Sequence, residues 1–166
     1  MIPSTTSGKP TNQTFTVGLV VHFVAAVREV FSTMLGTAVN VASPHNKSHP
    51  SPTFDVSAIV GISGQVVGSM VLSFEMETAA KIVAALSGAV VSPKSPDFPD
   101  AVGEIANMIA GSAKRNFGAT ASISIPSIVM GGGHTLARLH DQPCIVIPCN
   151  TDLGRFVIEV SVKPNP

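Results

Sequence analysis

Apolar residues recur at helical spacing from Thr16 onward. Val20, Phe23, Val24, Val27, Phe31, Met34 and Leu35 fall at i, i+3, i+4 and i+7 intervals, and Gly36 closes the run. The pattern predicts an amphipathic helix that turns one stripe to a core and leaves His22 and Arg28 off it. Residues 38–42 read as a short strand. Residues 43–53, S-P-H-N-K-S-H-P-S-P-T, are polar and proline-rich and predict a loop. His45 and His49 stand in it at H-x-x-x-H spacing. Its prolines oppose a helix, and no acidic residue lies between the two histidines, so the pair does not make a zinc-protease motif. Residues 54–62 and 66–74 are β-rich runs joined by S-G-Q, which predicts a hairpin. Glu75 and Glu77 then open a helix, where negative charge is favoured by the free N–H groups, and Ala79, Ile82, Val83 and Leu86 point inward until Gly88.

The most informative stretch is residues 95–117, S-P-D-F-P-D-A-V-G-E-I-A-N-M-I-A-G-S-A-K-R-N-F. Ser95 can cap, Pro96 suits a first turn whose N–H groups are unpaired anyway, and Gly118 follows the last periodic residue. Ala101, Val102, Ile105, Met108, Ile109 and Ala113 share one broad apolar face, and Glu104, Asn107, Gly111 and Lys114 share the opposite one. Three residues apart on a helix, Glu104 and Asn107 are neighbours, so a carboxylate and a carboxamide point outward together. Gly103, Ala106, Ala110 and Gly111 are expected to keep the flanks of this ledge low. E-x-x-N is a short motif, and an ordinary solvated helix face produces the same pair.

After Gly118 the pattern is β: A-T-A-S-I-S-I, S-I-V-M-G, H-T-L-A-R-L, P-C-I-V-I-P and G-R-F-V-I-E-V-S-V-K. The last run alternates Phe156, Ile158, Val160 and Val162 against Val157, Glu159, Ser161 and Lys163, which predicts a half-wet strand. Gly131, Gly132 and Gly133 lack the lysine and helix of a phosphate loop and read as a turn or bulge. The fold expected is α+β: an antiparallel β-sheet with about three helices packed against it, in two pseudo-repeated α-β halves.

Composition narrows the function. A chain of 166 residues is one domain's worth, with a disordered arm expected at residues 1–14 and a single domain at residues 15–166. Ten basic and ten acidic residues leave a formal net charge of zero, so there is no electrostatic footprint for nucleic acid or an anionic membrane. The apolar stretch at residues 17–27 is broken by His22 and falls short of the roughly twenty residues of a membrane span. The N-terminus has no basic region or apolar core of a secretory signal, and a cytoplasmic location is the expectation. Cys144 and Cys149 are too far apart for C-x-x-C and read as buried free thiols. With 45% hydrophobic and only 12% charged residues, some apolar surface is expected to be covered by a partner subunit.

Asp100-x-x-x-Glu104-x-x-Asn107 followed by M-I-A-G-S-A resembles the signature helix of the CheC/CheX/FliY family of chemotaxis phosphatases. Residues 60–88 are similar to that family's hairpin and following helix, and F-V-I-E-V-S-V-K to its last strand, so the resemblance spans most of residues 17–163. It implies a CheC-like fold, a homodimer joined at a sheet edge, and hydrolysis of the aspartyl phosphate of a CheY-type response regulator in chemotaxis. The regulator would bring its own Mg²⁺, phosphorylated Asp and Lys, so this chain needs no cofactor. By the same resemblance Asn107 orients the attacking water, Glu104 pairs with the regulator's Lys, and Asp100 belongs to the signature without an assigned chemical step, a structural role near the helix start being its other reading. Asp100, Gly103, Gly111 and Lys114 are expected to form the partner-binding flank. The first helix offers only Glu29-x-x-Ser32, with Val30 and Phe31 in its core stripe, so one active helix per chain is expected. The alternative is a non-catalytic dimeric adaptor or switch-type module that binds a phosphorylated receiver domain. An unrelated ligand at the histidine loop or the glycine run is the third reading.

Overall fold

The computed structural model describes residues 12–48, 54–117, 120–137 and 142–166. His49, Gly118 and the first eleven residues of the expected N-terminal arm lie outside the described residues.

Helix α1 (Asn12–Val30) begins ahead of Thr16, because Thr16 Oγ1 donates a buried 2.6 Å hydrogen bond to Val162 O and ties the first turns to the end of the chain. It continues as a π turn (Phe31–Leu35), closed by Gly36 at φ 64° with its N–H on Phe31 O. The Ser32 and Thr33 hydroxyls donate to Glu29 O at 3.0 and 2.7 Å, competing with the helical N–H for that carbonyl where the α-helix gives way. Residues Thr14–Leu35 are long and apolar enough to cross a membrane by length and composition, beyond the expectation from residues 17–27. Yet Phe23, Val27 and Phe31 are fully buried, and the helix packs on the third helix and the last two strands. A core helix passes the same length test.

The strands are β1 (Asn40–Val41), β2 (His45–Asn46), β3 (Val56–Gly64), β4 (Val66–Phe74), β5 (Ala121–Ile123), β6 (Ser127–Met130), β7 (Ile145–Thr151) and β8 (Gly154–Pro164). Helices α2 (Met76–Ser87) and α3 (Asp97–Arg115) complete the chain. Among the described residues the strands form one antiparallel sheet in the order β1-β7-β8-β4-β3-β5, with β2 on β7 and β6 on β3. The 64–65 turn suits glycine alone: Gly64 sits at φ 111°, and a Cβ there would lie 2.6 Å from Thr120 O. All three helices cover one face. That face presents Phe156, Ile158 and Val160 of β8 opposite Phe74, Leu72 and Met70 of β4. Phe31 stacks on Phe156 with ring centroids 4.9 Å apart, and Phe74 meets the same ring at 5.2 Å. Each fully buried side chain of this size contributes on the order of 1.5–3 kcal/mol. Cys149 faces the same core, and burial pushes its thiol up to about 12.

The two halves are related by pairing. The short strands after α1 pair with the β7–β8 hairpin, and those after α3 pair with the β3–β4 hairpin. Each short pair is one strand broken by a bulge. Val41↔Cys149 and His45↔Val146 leave Ala42, Ser43 and Pro44 opposite Ile147 and Pro148. Ile62↔Ile123 and Ile59↔Ser127 leave Ser124, Ile125 and Pro126 opposite Val60 and Gly61. In both halves one extra residue is inserted at the same place.

The reverse face corrects the reading of a half-wet last strand, because Glu159 and Ser161 are buried. Lys47, just past β2, reaches Glu159 at 2.8 Å, with side-chain exposures of 11% and 4%. His134 Nε2 lies 2.9 Å from the buried Ser57 Oγ, which also bonds Ser73. Residues expected to be loop and strand thus help close this face: His45 and Asn46 form β2, while residues 134–137 form no strand. The glycine run is a turn, as expected. Gly131 N donates to Asp55 O at 2.8 Å, and Asp55 Oδ2 in turn accepts from Met76 N at the start of α2.

Candidate functional site

Helix α3 is framed by its sequence. Ser95 Oγ accepts from Asp97 N at 3.3 Å, Asp97 and Asp100 occupy the first turn where the helix dipole favours them, and Lys114 and Arg115 occupy the last. Phe98, Val102, Ile105 and Ile109 anchor one face in the core. The other face carries Asp100, Glu104 and Asn107, all exposed.

These three residues and Gly103 line a groove of about 480 Å³ between α3 and the β5–β6 strand. Pro99 extends the helical wall, and Ile123, Ser124, Ile125, Pro126 and Ile128 form the opposite one. Gly103 lies between the walls: a Cβ there would make ordinary van der Waals contact with Ile128 Cδ1 at 3.7 Å and Pro126 Cβ at 3.8 Å. Among the described residues Glu104, Asn107 and Asp100 make no hydrogen bond or ion pair within the chain. Asp100 and Glu104 are like charges at i, i+4, which costs helix stability. The groove therefore offers an unneutralised carboxylate pair and one free carboxamide on a rigid frame.

The remaining expected residues divide. Gly111 and Lys114 lie further along α3 and do not line the groove; both are half-buried, and Gly111 faces Ile123. Ala106 and Ala110 are 0% and 1% exposed, so they belong to the core and not to a low ledge. The helix buries a broader arc than its strongly apolar residues outline. Sequence reasoning missed the opposite wall, although Pro126 between two β-rich runs marked the break that builds it.

The first helix carries no counterpart. Glu29 Oε2 accepts from the buried Ser112 Oγ at 2.6 Å and lies 4.0 Å from Arg115, so its carboxylate joins α1 to α3. Ser32 turns its hydroxyl back to its own helix.

Three helices on one face of an antiparallel sheet, in two bulged halves with an open Glu-Asn pair on the second, define a CheC-like α+β domain. The family described as chemotaxis phosphatase CheX matches residues 56–150, and the chain belongs to it. The CheY-P phosphatase CheX of Thermotoga maritima is 30% identical over 112 residues, 65% of this chain and 72% of that protein. A chemotaxis protein CheX from Desulfovibrio desulfuricans has a TM-score of 0.80 and 35% identity, covering 89% of this chain and 99% of that one. The CheX of a CheX–CheY–BeF3–Mg²⁺ complex from Borrelia burgdorferi shares the fold, with a TM-score of 0.72 and 21% identity over 87% of this chain and 97% of that one.

Proposed function

We propose that this chain hydrolyses the aspartyl phosphate of a CheY-type response regulator and so terminates a chemotaxis signal. One observation carries the reading: Glu104 and Asn107 stand exposed and unpaired, side by side on a rigid helix, at the edge of an open groove. The Thermotoga relative, named for CheY-P, supports the substrate class.

The chemistry asks little of this chain. A water must be held in line behind phosphorus, and the Asn107 carboxamide can do so by donating and accepting hydrogen bonds. The water oxygen bonds to phosphorus as the bond to the aspartate oxygen breaks. Inorganic phosphate and a free carboxylate result, and the water's proton passes to solvent. Asn107 acts through position and not as a base. Glu104, one turn away, pairs with the regulator's active-site Lys and sets the register that aims Asn107. Asp100 adds negative potential on the same wall and speeds encounter with that cation. Gly103 adds no side chain between the walls. Gly111 and Lys114, further along α3, form the outer margin of the contact. The Mg²⁺ is the regulator's own, where it neutralises charge on the phosphoryl group.

The same proposal includes a cytoplasmic homodimer joined at a sheet edge, as the family resemblance implies. Light scattering at micromolar concentration tests it, and a monomer would count against it. The activity is tested by following the decay of a phosphorylated CheY-type receiver with and without this protein, beside Asn107→Ala. Faster decay that vanishes in the variant is the expected result. Binding without faster decay would instead identify the non-catalytic adaptor.

A further inference from the structure

The groove wall opposite α3 carries a side chain that packing does not explain. Ile125 is 89% exposed and lines the groove that also holds Glu104 and Asn107. It sits in the β5–β6 bulge, and bulges re-aim side chains. The bulge is clamped on both sides. Ser124 N donates to Gly61 O at 2.9 Å, Gly61 N donates to Ser124 Oγ at 2.9 Å, and Ser124 Oγ donates to Ile125 O at 3.0 Å. A Cβ at Gly61 would lie 3.3 Å from Ser124 Oγ, a tight contact that glycine avoids. On the other side Pro126 lies against Gly103 of α3. Ile125 is itself β-branched and stiff at χ1. A large apolar group is thus held rigidly in water beside two polar tips.

The molecule contains its own control. The bulge of the first half has the same register and the same proline, yet its exposed residues are Ala42, Ser43 and Pro44, with Ser43 where Ile125 stands in the second. The backbone device therefore does not demand an apolar side chain. The isoleucine is confined to the half whose helix carries the open Glu-Asn pair.

We propose that Ile125 is the apolar anchor of the receiver-domain interface, a positioning and specificity-determining residue that buries against the partner while Glu104 takes its Lys. This deepens the phosphatase reading and rests on it for the partner's identity. Because its backbone is pinned and its χ1 is restricted by β-branching, burying Ile125 costs less side-chain entropy than burying a long flexible side chain. Ile125 touches no reacting atom, so it acts on affinity and not on the chemical step.

The test uses the full chain and a beryllofluoride-activated CheY-type receiver domain for affinity, with the phosphorylated receiver for turnover. Ile125→Ser is expected to raise Kd and KM about tenfold, the size of a modest hot spot, while kcat stays within about twofold. Ile125→Val should retain affinity within about threefold, and Ser43→Ala should change neither constant. Ile125 is exposed, so thermal melting should be unchanged. Unaltered Kd in Ile125→Ser would overturn the proposal, as would a fall in kcat at constant KM. If the wild-type chain binds the receiver without hastening decay, the phosphatase reading falls while the Kd comparison still decides Ile125. If it does not bind at all, both fall.

Discussion

The two halves of the molecule use one plan for different ends. Each places a helix against the sheet and follows it with a strand broken by a one-residue bulge at a proline, Pro44 in the first half and Pro126 in the second. In the first half the polar groups bond within the chain. Glu29 joins α1 to α3 through Ser112, and Lys47, shortly after the bulge, closes the reverse face on Glu159. In the second half they turn outward: Glu104 and Asn107 are unpaired, and Ile125 stands in water. Symmetry of backbone does not carry symmetry of function. What separates the two halves is whether their polar side chains find partners within the chain.

The largest effect expected belongs to the first half. Lys47→Met should lower stability by about 3 kcal/mol in urea unfolding, because the buried Lys47–Glu159 ion pair loses its cationic member. A loss below about 1 kcal/mol would mean that the pair is not closed off from water as its exposures indicate. Next comes the second half. Asn107→Ala should slow stimulated dephosphorylation on the order of 100-fold with Kd nearly unchanged, since a displaced water costs rate and not affinity. Glu104→Ala should raise Kd for the receiver about tenfold and lower turnover as well, with no loss of stability, because Glu104 has no partner within the chain. Unchanged affinity would remove the proposed ion pair. The smallest effect sharpens the contrast from the other side. Glu29→Gln should leave turnover unaltered and shift unfolding by less than about 1 kcal/mol, and any loss of phosphatase activity would make α1 a second active helix.

Much of this contrast was legible before the fold was known. The stripe from Val20 to Phe31, the S-G-Q hairpin and the face shared by Glu104 and Asn107 are all local periodicities, and each lies in the structure where the pattern puts it, whereas Met34, expected on the stripe, is exposed where the helix passes into the π turn. Glu29-x-x-Ser32 also read as inactive, although the reason visible in the chain, its place beside the core stripe, is less direct than the hydrogen bond to Ser112. Less was legible where a residue's surroundings come from far away. The alternation in β8 sorted Glu159 correctly to the face away from the helices, but alternation reports sidedness and not wetness. Distant neighbours such as Lys47, 112 residues away, help make that face a buried one.

The groove shows the same division. Amino-acid sequence alone determined that α3 presents a carboxylate and a carboxamide one turn apart, because helical geometry makes neighbours of residues three apart whatever surrounds them. That they face an apolar wall, and that Ile125 crowns it, was decided by tertiary structure. A bulge shifts register by one residue, which moves a side chain from one side of a sheet to the other, and whether a strand bulges depends on the partner strand it meets. Short-range pattern sets which residues share a face; long-range pairing decides what that face meets.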